Sequence, residues 1–177
     1  MLKVVIGLVA LCTLLQSQIP EPAGQPRVTG ADTVVIDGAT VRLWGVSTFP
    51  PDSSCSDDPA VPQSCGELAR HILEEQLAAA RETLDLVSRQ GHQRYAASRR
   101  LRCTLVAKEP DGERVGTCEV LIPSCYGAMC EDVWYDLASQ LIESGAARQR
   151  RAESLGAYDE EEGVARSARL GGWATRP

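Results

Sequence analysis

Four short, mostly apolar runs bounded by turn residues predict β-strands in the chain. Residues 28–36 and 40–46 form the first pair of runs, joined at Asp37-Gly38, the strongest short signal for a tight hairpin turn. Residues 102–108 and 114–122 form the second pair, and a Glu-Pro-Asp-Gly turn lies between them. The pattern therefore predicts two β-hairpins.

Elsewhere apolar residues recur at every third or fourth position, which predicts helices. The first helix begins at Ser64, where Glu67 has capping-box spacing, and ends at Gly91. The second spans residues 131–145, and the last spans about 157–170. We interpret the acid run at the start of the last helix as a solvated end that matches the helix dipole, in preference to a metal site. Strands first and helices interleaved later predict an α+β domain.

The N-terminus carries the clearest targeting signal. Lys3 precedes an apolar run at residues 4–15, which is shorter than the roughly 20 residues of a membrane-spanning helix and fits a secretory signal better. No small-x-small pair follows the run cleanly, so an uncleaved segment that stays as a short anchor is the alternative. We expect residues 1–18 to be a signal peptide or short N-terminal anchor, 19–26 a linker, and 27–177 one domain.

Cysteine usage agrees with export to the periplasm or the medium. Of seven cysteines, one lies in the targeting segment, and the other six form an even set that is typical of a disulfide framework in a small exported domain. The six are Cys55, Cys65, Cys103, Cys118, Cys125 and Cys130. The sequence does not choose among the pairings, although the three nearest-neighbour pairs are favoured by locality. Free buried thiols are the alternative, and zinc is disfavoured because no C-x-x-C pair is present.

The charge balance narrows the range of partners. The chain has a formal net charge of −6 and a sequence pI of about 5.0. Nucleic acid is therefore a disfavoured partner, because phosphate neutralisation supplies most of that affinity. A membrane is expected as a partner only if the N-terminal segment remains as an anchor.

Five motifs follow one another in order across residues 28–173. The strand pair ADTVVIDGATVRLWGV comes first, then the helix start SCGELA and the hairpin DGERVGTCEV. The helix DVWYDLASQLIESGAA and the closing element YDEEEGVARSARLGGW complete the series. Together they resemble the staphylococcal nuclease-like (thermonuclease) family. The resemblance implies an OB-fold, a five-stranded β-barrel with three helices.

Members of that family that cleave nucleic acid hold one calcium ion with carboxylates and split the phosphodiester by water attack. The resemblance assigns Asp32 as one metal carboxylate and Arg42 as the first phosphate-binding arginine. The other positions depart from the pattern. Ser47 stands at the second metal aspartate, Pro50 at the general base, and Glu113 at the second arginine, which is a charge reversal.

A second departure lies near the end of the chain. Tyrosines that pack on the nucleotide in the family are replaced here by the run RQRR, in which Arg148, Arg150 and Arg151 are a candidate anion-binding patch. A solvated loop face is the alternative. Arg114, beside the reversed position, should point away from the site, since a strand alternates its faces.

These departures predict an exported OB-fold protein that is a non-catalytic binding or structural module, with an unknown protein partner or none. The long first helix, which offers extra surface, favours this reading. The alternative is a divergent calcium-dependent nuclease that uses Asp32, Arg42 and an aspartate from residues 52–58; calcium is expected as a cofactor only in that case. The retained pair also has a structural explanation, in which Asp32 caps a turn beside Thr33 and Arg42 pairs with an acid.

Overall fold

The structure is a computed structural model of the chain, and it describes residues 25–50, 52–56, 62–92, 94–95, 100–127 and 129–174. The predicted signal or anchor segment lies outside the described residues. Within those ranges, none of the helices combines the length and apolar character needed to cross a bilayer.

Short strands build one curled sheet and two small ribbons in the described part of the chain. The strands are β1 (Arg27–Val28), β2 (Thr33–Ile36), β3 (Ala39–Leu43), β4 (Val46–Thr48), β5 (Leu101–Lys108), β6 (Arg114–Leu121), β7 (Ser124–Tyr126), β8 (Met129–Glu131), β9 (Trp134–Asp136) and β10 (Ala147–Gln149). The main sheet has the order β1-β2-β3-β6-β5, and β6 also pairs with β9. Neighbours are antiparallel except β3 and β6. β4 pairs with β10, and β7 with β8.

The predicted α+β class is confirmed, and the curled half-barrel sheet is compatible with an OB-like fold. Both predicted hairpins are present as β2–β3 and β5–β6. The first predicted strand is interrupted, because the backbone N–H groups of Thr29 and Gly30 both donate to the carbonyl of Thr33 and form a turn. The second breaks at Gly45, whose φ of +73° requires a left-handed backbone.

Helices cover the sheet and connect its parts. They are α1 (Cys65–Arg89), α2 (Leu137–Glu143), α3 (Arg151–Ser154) and α4 (Asp159–Ala168), followed by a 3-10 turn (Gly171–Trp173). The predicted start of α1 is confirmed: the Glu67 N–H donates to Ser64 Oγ at 3.2 Å, and the Ser64 N–H donates to Glu67 Oε2 at 3.0 Å. The single turn α3 was not among the three predicted helices.

The predicted start of α2 is wrong. Residues 134–136 are strand β9, and the helix begins only at Leu137. The reason is Asp136, whose extended backbone suits an N-cap and whose Oδ1 accepts a hydrogen bond from the Ala138 N–H at 2.7 Å. The other carboxylate oxygen accepts from the Tyr158 hydroxyl at 3.0 Å, and burial raises the pKa of both groups. The Asp136 carboxylate thus connects the start of α2 to Tyr158, the residue before α4.

A large apolar cluster fills the space between the sheet and the helices. Its fully buried large side chains include Val34, Val41, Leu43, Val46, Leu73, Leu101, Val120, Leu137, Leu141 and Ile142. A smaller cluster lies beside it, where the Phe49 ring meets the Trp173 ring edge-on with centroids 5.2 Å apart. Phe49 lies three residues after the first motif and Trp173 ends the last motif, so this contact connects segments that are far apart in the sequence.

Three disulfides link consecutive cysteines: Cys55–Cys65, Cys103–Cys118 and Cys125–Cys130. These are the pairs that locality favoured. Cys103 and Cys118 are directly opposite each other on β5 and β6. The bridges are consistent with an extracellular or periplasmic protein, since such bonds persist in oxidising compartments.

Candidate functional site

Arg42 lies on β3 with only 8% of its side chain exposed, and carboxylates surround its guanidinium group. Its Nε donates to Glu113 Oε2 at 2.9 Å. Its Nη1 and Nη2 donate to the two carboxylate oxygens of Glu153 at 3.2 and 3.0 Å, which is the bidentate geometry that arginine prefers. Glu109 Oε1 lies 3.7 Å from Nη2. The acid at the reversed position therefore pairs with the arginine retained beside it.

Glu153 is the centre of this cluster, and no motif or spacing in the sequence indicates its role. It accepts a further hydrogen bond from the Gly45 N–H at 3.0 Å, and Arg150 Nη1 lies 3.3 Å away. Burial opposes its ionisation, but the hydrogen bonds from Arg42 and Gly45 outweigh burial and lower the pKa of Glu153. Burial likewise opposes the charge on Arg42, yet the bonds to Glu153 and Glu113 raise its pKa. Both partners are held in their charged forms.

Asp32 precedes β2, next to Arg42 across the β2–β3 pair. Register pairs Thr33 with Arg42, and the Leu43 N–H donates to the Asp32 carbonyl at 2.8 Å. The Asp32 carboxylate accepts a hydrogen bond from the Thr33 hydroxyl at 2.8 Å. The structure therefore brings Asp32, immediately before β2, close to Arg42 on the adjacent strand β3, and the Asp32 carboxylate accepts a hydrogen bond from its neighbour Thr33.

Ser47 and Pro50, which stand at the second metal ligand and the general base of the resemblance, carry no carboxylate. Ser47 lies on β4, opposite Arg148 on β10. Pro50 is exposed, and its carbonyl accepts from the Ser53 N–H at 2.9 Å. Asp52, the described aspartate of the loop in residues 52–58, is also exposed, whereas Asp57 and Asp58 lie outside the described residues.

A depression of about 460 Å³ lies beside these positions, lined by Ala31, Thr48 and Phe49 on one side and by the first turn of α1 on the other. The carboxylate that lines it belongs to Glu67. Hydrogen bonds from the Ser64 backbone and hydroxyl lower the pKa of Glu67 and commit it to the helix cap. This acid is therefore not free to replace a missing metal ligand.

The three arginines of the candidate anion patch do meet in the structure. Arg148, Arg150 and Arg151 line an open depression of about 500 Å³, together with Ser47, Gln149, Glu162, Arg166 and Trp173. Arg148 lies on strand β10 rather than on a loop and Arg151 begins α3, whereas Arg150 and Arg151 are exposed, as the alternative of a solvated face expects.

Most of the positive charge in this patch is neutralised. Arg150 pairs with Glu153 at 3.3 Å and Arg151 with Asp159 at 2.6 Å. Arg166 Nη2 lies 3.0 Å from Glu162 Oε1. Within the described ranges Arg148 has no carboxylate partner, and its guanidinium carbon lies 6.0 Å from the Phe49 ring centroid. Among the described residues, Arg148 is therefore the arginine of the patch that no carboxylate neutralises.

A buried polar network shares Gln149 and Glu162 with the patch. It shows that the acid run at the start of α4 is not simply a solvated helix end. Glu162 is only 4% exposed, so this part of α4 is not a solvated helix start. The Gln149 amide nitrogen donates to Glu162 Oε2 at 2.9 Å and to Asp159, while the Ser154 hydroxyl donates to Gln149 Oε1 at 3.0 Å. The acids thus orient β10 and α3 through hydrogen bonds, a role that the sequence pattern does not reveal.

Comparison with known proteins gives a distant similarity. No family model matches the chain. The chain is similar to the succinoglycan biosynthesis protein ExoI of Rhizobium meliloti (strain 1021), with 28% identity over 156 residues. The similarity covers 87% of this chain and 65% of that relative, so the chain spans less than two thirds of the relative's length.

Proposed function

We propose that the protein is an exported, disulfide-stabilised binding or structural module of nuclease descent that does not hydrolyse phosphodiesters. The observation that carries this proposal is the state of Arg42. A phosphate-binding arginine must present its planar fork to an anion, whereas here both Nη groups and Nε face Glu153 and Glu113. A phosphate would have to displace groups that carry the same negative charge.

The nuclease chemistry would also lack its other parts. Calcium takes about six to eight oxygen ligands, yet Ser47 replaces one of the family's metal carboxylates. Pro50 has no group that can accept a proton from water, and Glu113 would repel the developing charge on phosphate. The loss of one stabilising group typically costs on the order of 100- to 1000-fold in rate, so three such losses leave little catalysis.

Nuclease descent also implies a more specific fold, which we propose for this chain: a five-stranded OB-type barrel with the thermonuclease helix arrangement. The half-barrel formed by β1-β2-β3-β6-β5 supports this proposal, because both hairpins occupy the order that the motifs predict. The capped start of α1 after the first hairpin supports it as well.

For the ligand class we propose a glycan. The similar Rhizobium meliloti protein is named for the biosynthesis of succinoglycan, and this name supports a glycan as the ligand class that we propose for this chain. The three disulfides support action outside the cytoplasm.

The test of the catalytic part is release of acid-soluble nucleotides from single-stranded DNA and from RNA, with calcium and with chelator. We expect the purified chain to release no more than the buffer in either condition. Asp32→Ala is the informative variant, and Asp85→Ala, an exposed acid on α1, is its matched control. Calcium-dependent cleavage that Asp32→Ala abolishes and Asp85→Ala retains would overturn the proposal in favour of the divergent nuclease.

Nucleic-acid binding without cleavage is tested separately by a gel shift with the same single strands at low salt. We expect no shift, because the chain is acidic and Arg42 is neutralised by carboxylates. A shift that disappears in Arg148→Gln would instead identify the β10 patch as a single-strand binding surface and contradict the glycan assignment.

A further inference from the structure

A cleft of about 270 Å³ lies between β1 and α1, away from the residues of the Arg42 cluster. Three arginines line it: Arg27, Arg81 and Arg100. Apolar side chains, Val28 and Leu77, also line it. We call this feature the Arg27 cleft.

Three separate parts of the chain bring these arginines together. Arg27 is fixed on β1 by its pairing with Val35 on β2. Arg81 is on α1, and Leu77 and Glu74 precede it by four and seven residues, so all three share one helix face. Arg100 lies immediately before β5, where its carbonyl accepts the Leu121 N–H at 2.9 Å. The cleft is therefore built from ordered backbone.

In the part of the chain that the structure describes, no carboxylate pairs with these three guanidinium groups. Across the described residues none of them makes a hydrogen bond or ion pair through its side chain. The acid in the cleft wall, Glu74, is half exposed and its carboxylate lies 3.8 Å from Arg70. By contrast, Arg42 is held by carboxylates, as described above. A chain with a net charge of −6 thus has three arginines in one cleft that no described carboxylate neutralises.

Such an arrangement suits an anionic ligand. Like charges that converge repel one another, and a bound anion removes that cost while each planar fork offers paired donors to its oxygens. The apolar lining favours a ligand that has a carbon skeleton beside its charge. The lining contains no aromatic side chain on which a nucleic-acid base could stack.

We propose that the Arg27 cleft binds a carboxylate-bearing sugar of an acidic glycan. The anion-binding part of this inference stands on the cleft itself, and the choice of a glycan rests on the proposed function. The arginines bind the carboxylate, and Val28 and Leu77 contact the sugar ring.

The experiment is calorimetric titration of the purified full chain with three probes: an oligogalacturonate, which carries one carboxylate per sugar, a neutral dextran oligomer of similar length, and inorganic pyrophosphate. We expect the oligogalacturonate to bind, the dextran to give no heat, and pyrophosphate to bind more weakly. Raising the salt concentration should weaken the oligogalacturonate binding, since the recognition is electrostatic.

Substitutions locate the site. Arg81→Gln and Arg100→Gln each remove one charge-assisted hydrogen-bond partner and should weaken oligogalacturonate binding roughly tenfold or more. The matched control is Arg114→Gln, because that exposed arginine lies at the other end of the β5–β6 hairpin from Arg100. The Arg114→Gln control should bind like the parent chain, and Arg148→Gln tests the β10 patch as the competing location.

Each contrary outcome overturns a stated part of the inference. Absence of binding to both anionic probes overturns the anion site, and pyrophosphate binding as tight as oligogalacturonate overturns the glycan. Loss of binding in Arg148→Gln with retention in Arg81→Gln overturns the location. Calcium-dependent DNA cleavage by a chain that still binds oligogalacturonate through Arg81 would overturn the proposed function alone.

Discussion

Replacing Glu153 by glutamine tests how the buried arginine is held. Arg42 has 8% of its side chain exposed and Glu153 has 21%, so the bidentate pair is largely shielded from water. Removing one partner of a buried pair typically costs about 3 to 5 kcal/mol. Because Glu113 would still accept from Arg42 Nε, we expect a smaller loss for Glu153→Gln, about 2 to 3 kcal/mol of unfolding free energy.

The assay is urea denaturation at neutral pH with the disulfides intact. With a slope of about 1 to 3 kcal/mol per molar urea, the midpoint of Glu153→Gln should fall by roughly 1 M. Glu113→Gln is the matched control: its carboxylate is 41% exposed and makes a single hydrogen bond to Arg42, so its loss should cost at most about 1 kcal/mol.

The pH dependence gives a second readout of the same pair. The pKa of Glu153 is lowered in the folded protein, so its contribution to stability is complete above the usual glutamate pKa, about 4.3, and is lost as the pH falls below it. The stability difference between the parent chain and Glu153→Gln should therefore shrink in acid. Equal losses for the two glutamine variants, or a difference that stays constant down to pH 3, would refute this account of how Arg42 is held.

Two further substitutions test the packing and the bridges. Gly45→Ala should destabilise the fold by roughly 1 to 3 kcal/mol, because its φ is +73° and the added Cβ would lie 2.9 Å from Tyr158 Cε2. Gly38→Ala, with a similar φ of +75° and no neighbour within 4 Å, is the control in the same urea assay and should lose less; equal losses would exclude the clash as the cause. Replacing Cys103 and Cys118 together by serine removes a bridge across a 15-residue separation and should lower the unfolding free energy by about 3 kcal/mol, as measured by urea denaturation. An unchanged midpoint would contradict this estimate.

Elements with local signals could be predicted from the sequence. The Asp37-Gly38 turn and the Ser64 capping box act within a few residues, and both appear in the structure as expected. Strand β9 could not be predicted, because its three residues owe their conformation to pairing with β6. The apolar residues of that stretch continue the pattern of the following helix, so the periodicity placed the helix start too early.

In the candidate site, too, the contacts that could be predicted are those with a signal in the sequence, and the contacts between distant residues could not be predicted. The assignment of Arg42 and Glu113 to one region followed from motif order, and the reversed charge at Glu113 was a usable hint that the two could pair. Glu153 is 111 positions from Arg42, and no spacing rule connects residues so far apart. The burial of Glu162 on α4 could not be predicted from the sequence either, because it depends on packing against Gln149, which lies on strand β10.

The three disulfides have a consequence for the order of assembly. Each bridge joins consecutive cysteines, at separations of 10, 15 and 5 residues. A chain that crosses a membrane N-terminus first therefore presents both halves of each of these three bridges before the next pair emerges, so each bridge can close before the cysteines of the next pair arrive. Oxidation can then proceed bridge by bridge during translocation, without the reshuffling that interleaved pairings require.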